Sequence, residues 1–266
     1  MNIKLKNKIN FNYNKPPLLI AEISCNHNGN RNSFLKHILK AAKSGADLIK
    51  IQSYEAIDMT FKSTDKKFII TKGLWGKKNL WNLYKKTQTP FKWHREAFNL
   101  AKKINIPIFS TPFSIRAVDM LEKLKTPLYK IASFEITDLK LIKRIAKTQK
   151  PVIVSTGMAS FNEINRAVNL IKKYHNNIIL FYCVSGYPTP ENEVNLLNIQ
   201  LLKEKYHLLY QDEVDAIKSE YGEFILISVN MGYGNNIMGD DYILDEYGSN
   251  ALKLHKISTT EYLMEF

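Results

Sequence analysis

The chain has 266 residues, a formal net charge of +13, and 45% hydrophobic and 11% aromatic side chains. That length suits one (β/α) barrel, which needs roughly 250 residues, and the composition is that of a globular protein. No stretch approaches the ~18 apolar residues of a membrane span, the N-terminus MNIKLKNKINFNYNKPP lacks the apolar core of a signal peptide, and Cys25 and Cys183 are too few for a disulfide framework or a zinc site; a cytoplasmic protein is expected.

The charge is uneven. Residues 1–200 hold 33 Lys and Arg against 13 Asp and Glu, whereas residues 201–266 hold 5 against 12. The lysines are scattered over helical faces and form no aromatic-interleaved patch, so a small anionic substrate, not a nucleic acid or a membrane, is the partner expected.

In chain order, strand signals fall at Leu18–Ser24, Leu48–Gln52, Ile106–Ser110, Leu128–Ser133, Val152–Ser155 and Ile178–Ser185. Amphipathic helical stretches fall at Asn32–Lys43, Phe91–Lys103, Ile115–Leu124, Leu139–Lys147 and Phe161–Tyr174. Short apolar strands alternating with helices of this length predict βαβ units and a parallel sheet. The rival, an open dinucleotide-binding sheet, has no Gly-x-Gly-x-x-Gly after the first strand. The predicted fold class is therefore α/β, a (β/α) TIM-type barrel with six regular βα units and irregular or incomplete closure. Ser53–Leu80 reads as a long loop, and the aromatics Trp75, Trp81, Tyr84, Phe91 and Trp93 read as a lid or shoulder, or as a satellite apolar cluster. After Gln200 the rhythm weakens: Leu201–Tyr221 reads as helix and Phe224–Val229 as a seventh strand. Residues 1–206 are read as the barrel portion and 207–266 as a divergent acidic tail.

Polar residues close the apolar strands: Glu22, Lys50 with Gln52, Ser110, Lys130 with Ser133, Ser155 with Thr156, and Ser185. In a barrel, active sites lie at that end. Strand alternation puts Leu48, Lys50 and Gln52 on one face and Ile49 and Ile51 on the other. An ammonium on the inner face is costly unless it meets an anion, so Lys50 and Lys130 point to a phosphate or carboxylate ligand, or to internal pairing with Glu22 and Glu135. Ser155-Thr156-Gly157 is a turn whose N–H groups suit phosphate. His27 and Asn28 follow the first strand and are candidates at the mouth; His37, His94, His175 and His207 read as surface residues. No histidine pair has metal-ligand spacing.

The segments AEISCNHNG (21–29), GADLIKIQ (45–52), WGKKNLWNLYKKTQTPFKWH (75–94), YKIASFEI (129–136), PVIVSTGM (151–158) and YCVSGYPTP (182–190) together resemble the sialic acid synthase family, and the pseudaminic acid synthase branch most. The resemblance spans about residues 16–200. It implies an enzyme that joins phosphoenolpyruvate to an N-acetylated sugar aldehyde, giving a nine-carbon 2-keto sugar acid. It also implies that Lys50, Lys130, Ser133, Ser155 and Ser185 hold the phosphate and carboxylate, that Gln52 and Tyr187 address the sugar, and that Glu22 and Glu135 handle the proton of water. A carboxylate between lysines is expected to ionise readily. A homodimer and a divalent metal, manganese or magnesium, are further implications. The two family histidine ligands are not found after Tyr206, and the tail from about His207 resembles nothing in the family. His207, His255, Asp240, Asp241 and Asp245 stand outside the expected contexts, so no metal ligands are assigned. The expectation is impaired turnover or, alternatively, a non-catalytic remnant that binds ligand or a partner.

Overall fold

A computed structural model of the chain describes residues 3–4, 10–11, 18–71, 76–185, 195, 197–206, 228–230, 255–258 and 261–263. Seven strands carry the architecture: β1 (Ile20–Glu22), β2 (Leu48–Ser53), β3 (Ile108–Pro112), β4 (Tyr129–Ile131), β5 (Val152–Ser155), β6 (Ile178–Phe181) and β7 (Ser228–Asn230). The helices are α1 (Arg31–Lys43), α2 (Ala56–Met59), α3 (Leu80–Thr87), α4 (Phe91–Lys103), α5 (Ile115–Lys123), α6 (Leu139–Ala146), α7 (Phe161–Lys172) and α8 (Leu197–Tyr206). The chain divides into two compact units, Pro17–Ile108 with Ile225–Phe266, and Phe109–Phe224 with Met1–Pro16.

In the first unit β1 and β2 pair in parallel, with Ile20 opposite Leu48 and Glu22 opposite Lys50. β7 pairs in parallel with β1 on its other side. Paired residues in a parallel ladder point to the same face, so Glu22 and Lys50 share one face while Ala21, Ile23, Ile49 and Ile51 share the other. The apolar face packs on Phe34, Ile38 and Ala41 of α1 and on Trp93, Ala97 and Ala101 of α4. Those residues recur at helical spacing, which is why the two segments are helices at all. The Asn30 side chain caps α1 by accepting from Ser33 N. Burying each large apolar side chain of this layer contributes about 1.5–3 kcal/mol.

The expected loop after β2 contains more order than its composition suggested. α2 and a 3₁₀ turn at Lys66–Phe68 lie within it, and α3 opens at its end. Trp93 belongs to the core of α4 and is 8% exposed, so it is not part of a lid. Trp75 lies outside the described residues.

In the second unit β4, β5 and β6 run parallel in sequential order, with Tyr129 opposite Val152 and Val152 opposite Ile178. Ser110 of β3 stands opposite Tyr129. Ser114, Asp138 and Ser160 cap α5, α6 and α7 with their side chains, and Ser160 and Glu163 form a capping box. α8 docks through Tyr206, whose hydroxyl donates to Phe161 O at 3.2 Å. Six βα units in succession are the (β/α) class that the alternation predicted. Among the described residues no strand pairs with the outer side of β6, so closure is incomplete there, as expected. Residues 207–227 lie outside the described residues, and with them most of the expected helix Leu201–Tyr221.

Candidate active site

Each unit carries a carboxylate and a lysine at the C-terminal end of its strands. In the first unit Glu22, 7% exposed, pairs with Lys50, 4% exposed. One Glu22 oxygen, Oε2, meets the Lys50 ammonium, and the other, Oε1, accepts from Ser24 N at 2.9 Å. This is the internal pairing that the sequence left open as the alternative to a ligand. Gln52 is half-buried on the same face of β2 as Lys50.

His27 is fully buried. Its Nδ1 accepts from Gly29 N at 3.0 Å, so Nε2 carries the proton and donates to Thr89 Oγ1 at 3.0 Å. The ring meets Phe34 and Trp93 edge-on. Burial pushes its pKa down to about 4, so it stays neutral and is tied into the core. Asn28 is exposed, at φ 48°. His94 corrects an expectation. It is fully buried, not on the surface, and bonds Ser53 Oγ at 2.7 Å. Burial brings its pKa down to about 4 as well.

In the second unit the register puts Lys130 opposite Ile153 and Ser155 opposite Phe181, so Lys130 and Ser155 share a face. Tyr129 points the other way, toward α5, where its hydroxyl donates to Glu122 Oε1 at 2.6 Å. Ser110, opposite Tyr129, therefore faces the helices, and the strand-end hydroxyl of β3 on the Lys130 side is Thr111. Alternation from Lys130 was the signal that could have found it.

This face is rich in unsatisfied polar atoms. Among the described residues Ser155 Oγ, Glu135 Oε2 and Thr111 Oγ1 are buried without a hydrogen-bond partner. Lys130 has no ion pair within 4.0 Å among the described residues, and burial lowers its pKa although Cys183 and Glu135 act to raise it. Burial also pushes Glu135 up to about 7, against the pull of its own turn's backbone N–H and of Lys130. The expectation of ready ionisation therefore fails for Glu135, because desolvation outweighs the neighbouring charge. Gly157 completes the cluster: a Cβ there would stand 2.7 Å from Ser185 Oγ, 2.9 Å from Ser133 Oγ and 3.1 Å from Cys183 O. Only a glycine lets these two hydroxyls close in. Tyr187 lies outside the described residues.

Among the described residues no three His, Cys, Asp or Glu come together to hold a metal ion. The described residues alone therefore offer no ligand set for the divalent metal implied by the resemblance. No described helix is long and apolar enough to cross a membrane.

These features define a (β/α)-barrel-type protein with lysines, carboxylates and hydroxyls at its strand ends. The chain belongs to the NeuB family, which it matches over residues 37–211. It is 46% identical to the pseudaminic acid synthase of Helicobacter pylori over 191 residues, which cover 71% of this chain and 56% of that protein. It is 38% identical to a pseudaminic acid synthase of Campylobacter jejuni over 238 residues, 89% of this chain and 68% of that one. An alignment covering that share of the chain runs into the segment after His207. Among solved structures, the N-acetylneuraminic acid synthetase of Leptospira borgpetersenii, crystallised with citrate, superposes with a TM-score of 0.68 at 34% identity, covering 77% of this chain and 67% of that one. The chain thus spans little more than half the length of the Helicobacter relative.

Proposed function

We propose that this chain condenses phosphoenolpyruvate with an N-acetylated amino-sugar aldehyde, giving a nine-carbon 2-keto sugar acid and inorganic phosphate. The observation that carries the reading is the cluster of Lys130, Ser133, Ser155, Gly157 and Ser185, where an ammonium and a buried hydroxyl have no partner among the described residues. Leaving the Ser155 hydroxyl buried and unsatisfied costs about 1–3 kcal/mol, and a bound phosphate or carboxylate would relieve that cost. The names of the relatives, synthases of pseudaminic and N-acetylneuraminic acid, support the same substrate class.

The chemistry assigns the roles. The enol carbon of phosphoenolpyruvate attacks the aldehyde carbon, and the aldehyde oxygen takes up a proton. Water adds to the resulting cationic carbon and loses a proton, and the C–O bond to phosphate then breaks to leave the ketone. Lys130, Ser133, Ser155 and Ser185 hold the phosphate and carboxylate. Glu135, with a pKa of about 7, is suited to take the proton from water at neutral pH and return it. Glu22, held by Lys50 and Ser24 N, is assigned to the same reaction by resemblance. Gln52 and Tyr187 are assigned to the sugar by resemblance.

The test is phosphate release by the purified chain with phosphoenolpyruvate, manganese and either 2,4-diacetamido sugars or N-acetylmannosamine. Release dependent on one of these sugars supports the reading. Calorimetric binding of phosphoenolpyruvate without release under any condition would instead favour a binding protein without turnover.

A further inference from the structure

Three successive side chains, Thr87 at the end of α3 and Gln88 and Thr89 in the turn that follows, reach two different stretches of chain. Thr87 Oγ1 bonds Tyr54 OH at 2.9 Å, and Gln88 Oε1 accepts from Ala56 N at 3.0 Å. Thr89, 1% exposed, receives the His27 Nε2–H. The first two hold the chain that leaves β2, and the third holds the chain that leaves β1.

The β1 exit is an unusual piece of backbone. Ser24 and Asn28 are non-glycine residues at positive φ, 50° and 48°, and Gly29 follows at 74°. Such conformations persist only where the surroundings over-determine them. Here the surroundings are the His27 ring, wedged against Phe34 and Trp93 and held at both nitrogens. The same turn aims Ser24 N at Glu22 Oε1. A buried threonine and histidine are a costly way to fill apolar space unless the direction of the hydrogen bond matters.

We propose that Thr89 is a positioning residue: by fixing the tautomer and orientation of His27 it holds the turn whose Ser24 N–H orients the Glu22 carboxylate. The inference rests on the reading of Glu22 as a participant in the condensation.

The test compares the full-length chain with Thr89→Val, which keeps the shape and removes the hydroxyl, and with Thr89→Ser, which keeps the hydroxyl. Thr89→Ala, smaller than both, provides a second hydroxyl-free variant if valine prevents folding. For the hydroxyl-free variants the expectation is a fall in kcat of roughly tenfold with KM for phosphoenolpyruvate unchanged, and faster hydrogen exchange at Ser24 N–H with Phe34 and Ile38 amides still protected. Thr89→Ser should restore both. Hydrogen exchange reads the positioning whether or not the wild type turns over, so failure of the functional reading shows separately, as absent phosphate release. The assignment is overturned if Ser24 protection and kcat stay at wild-type level without the hydroxyl, if serine fails to rescue, or if neither hydroxyl-free variant folds, which would make Thr89 a stability residue alone.

Discussion

In residues 17–108 the strand-end carboxylate Glu22 gives one oxygen to Ser24 N and the other to Lys50. The nearby histidines His27 and His94 likewise find partners at both ring nitrogens. In residues 109–185 Glu135 Oε2, Ser155 Oγ and Thr111 Oγ1 are buried without a partner among the described residues, and Lys130 has no counter-ion in contact among them. Both regions place acid and base at strand ends, but one has satisfied its polar groups internally and the other has not. The first behaves as a pre-set frame. The second carries the polarity that a ligand would complete.

The sharpest way to break this comparison is to neutralise each carboxylate. Glu22→Gln takes the charged partner from a buried Lys50 ammonium, and removing one partner of a buried pair costs about 3–5 kcal/mol. Glu135→Gln removes a carboxyl that burial already disfavours in its charged form, so stability should change by less than about 1 kcal/mol. Urea unfolding of the two variants gives the answer, and equal losses would erase the distinction.

The two regions should also respond to pH with opposite sign. His27 and His94 have pKa values lowered from 6.5 to about 4. Their contribution is full above the unfolded value of 6.5 and is lost as pH falls toward 4, since the unfolded chain then binds protons that the folded chain refuses. Between pH 6 and pH 5 each should remove up to about 1.4 kcal/mol. Glu135 is raised to about 7 from 4.5. Its contribution is full below 4.5 and is lost as pH rises through 7. Residue-resolved hydrogen exchange at pH 5, 6 and 8 separates the two, and parallel behaviour of both regions would contradict the assignment.

Ligand binding should depend on the second region most. Lys130→Ala removes a charge-assisted contact worth about 1.5–3 kcal/mol, or roughly ten- to hundredfold in phosphoenolpyruvate affinity, without loss of folding stability. Calorimetry checks the affinity, and thermal unfolding checks the stability. Gly157→Ala should have a smaller effect. Its Cβ forces apart Ser133 and Ser185, for a loss of about 1–2 kcal/mol in affinity by the same titration.

Much of this was legible in the chain. α4 spans Phe91–Lys103 and β5 spans Val152–Ser155, both at the predicted bounds, because a helical apolar stripe in one and a proline-led β-branched run in the other leave no competing period. The alternation that set Lys50 against Ile49 and Ile51 was legible too, and the face it implied for the isoleucines is the one packed on α1 and α4. α3 was not among the expected helices because its eight residues bury no side chain completely. His94 was misplaced because a histidine on a lysine-rich helix looks solvated, and only the strand-end Ser53 opposite it accounts for its burial. Ser110 was preferred to Thr111 because neighbouring hydroxyls are indistinguishable until the register with Tyr129 assigns their faces. The near-neutral Glu135 was missed for a similar reason: charge neighbours can be read from a sequence, but the desolvation that outweighs them depends on packing.

The central claim is that the unpartnered atoms of residues 109–185 form an anion site, and the most direct test is a calorimetric titration of the purified chain and of Ser155→Ala with phosphoenolpyruvate. The account predicts saturable binding by the wild type, competed by inorganic phosphate, and weaker binding by the variant by roughly tenfold, the worth of one hydrogen bond to a charged ligand. No binding by the folded wild type, or equal affinity for both chains, would contradict it.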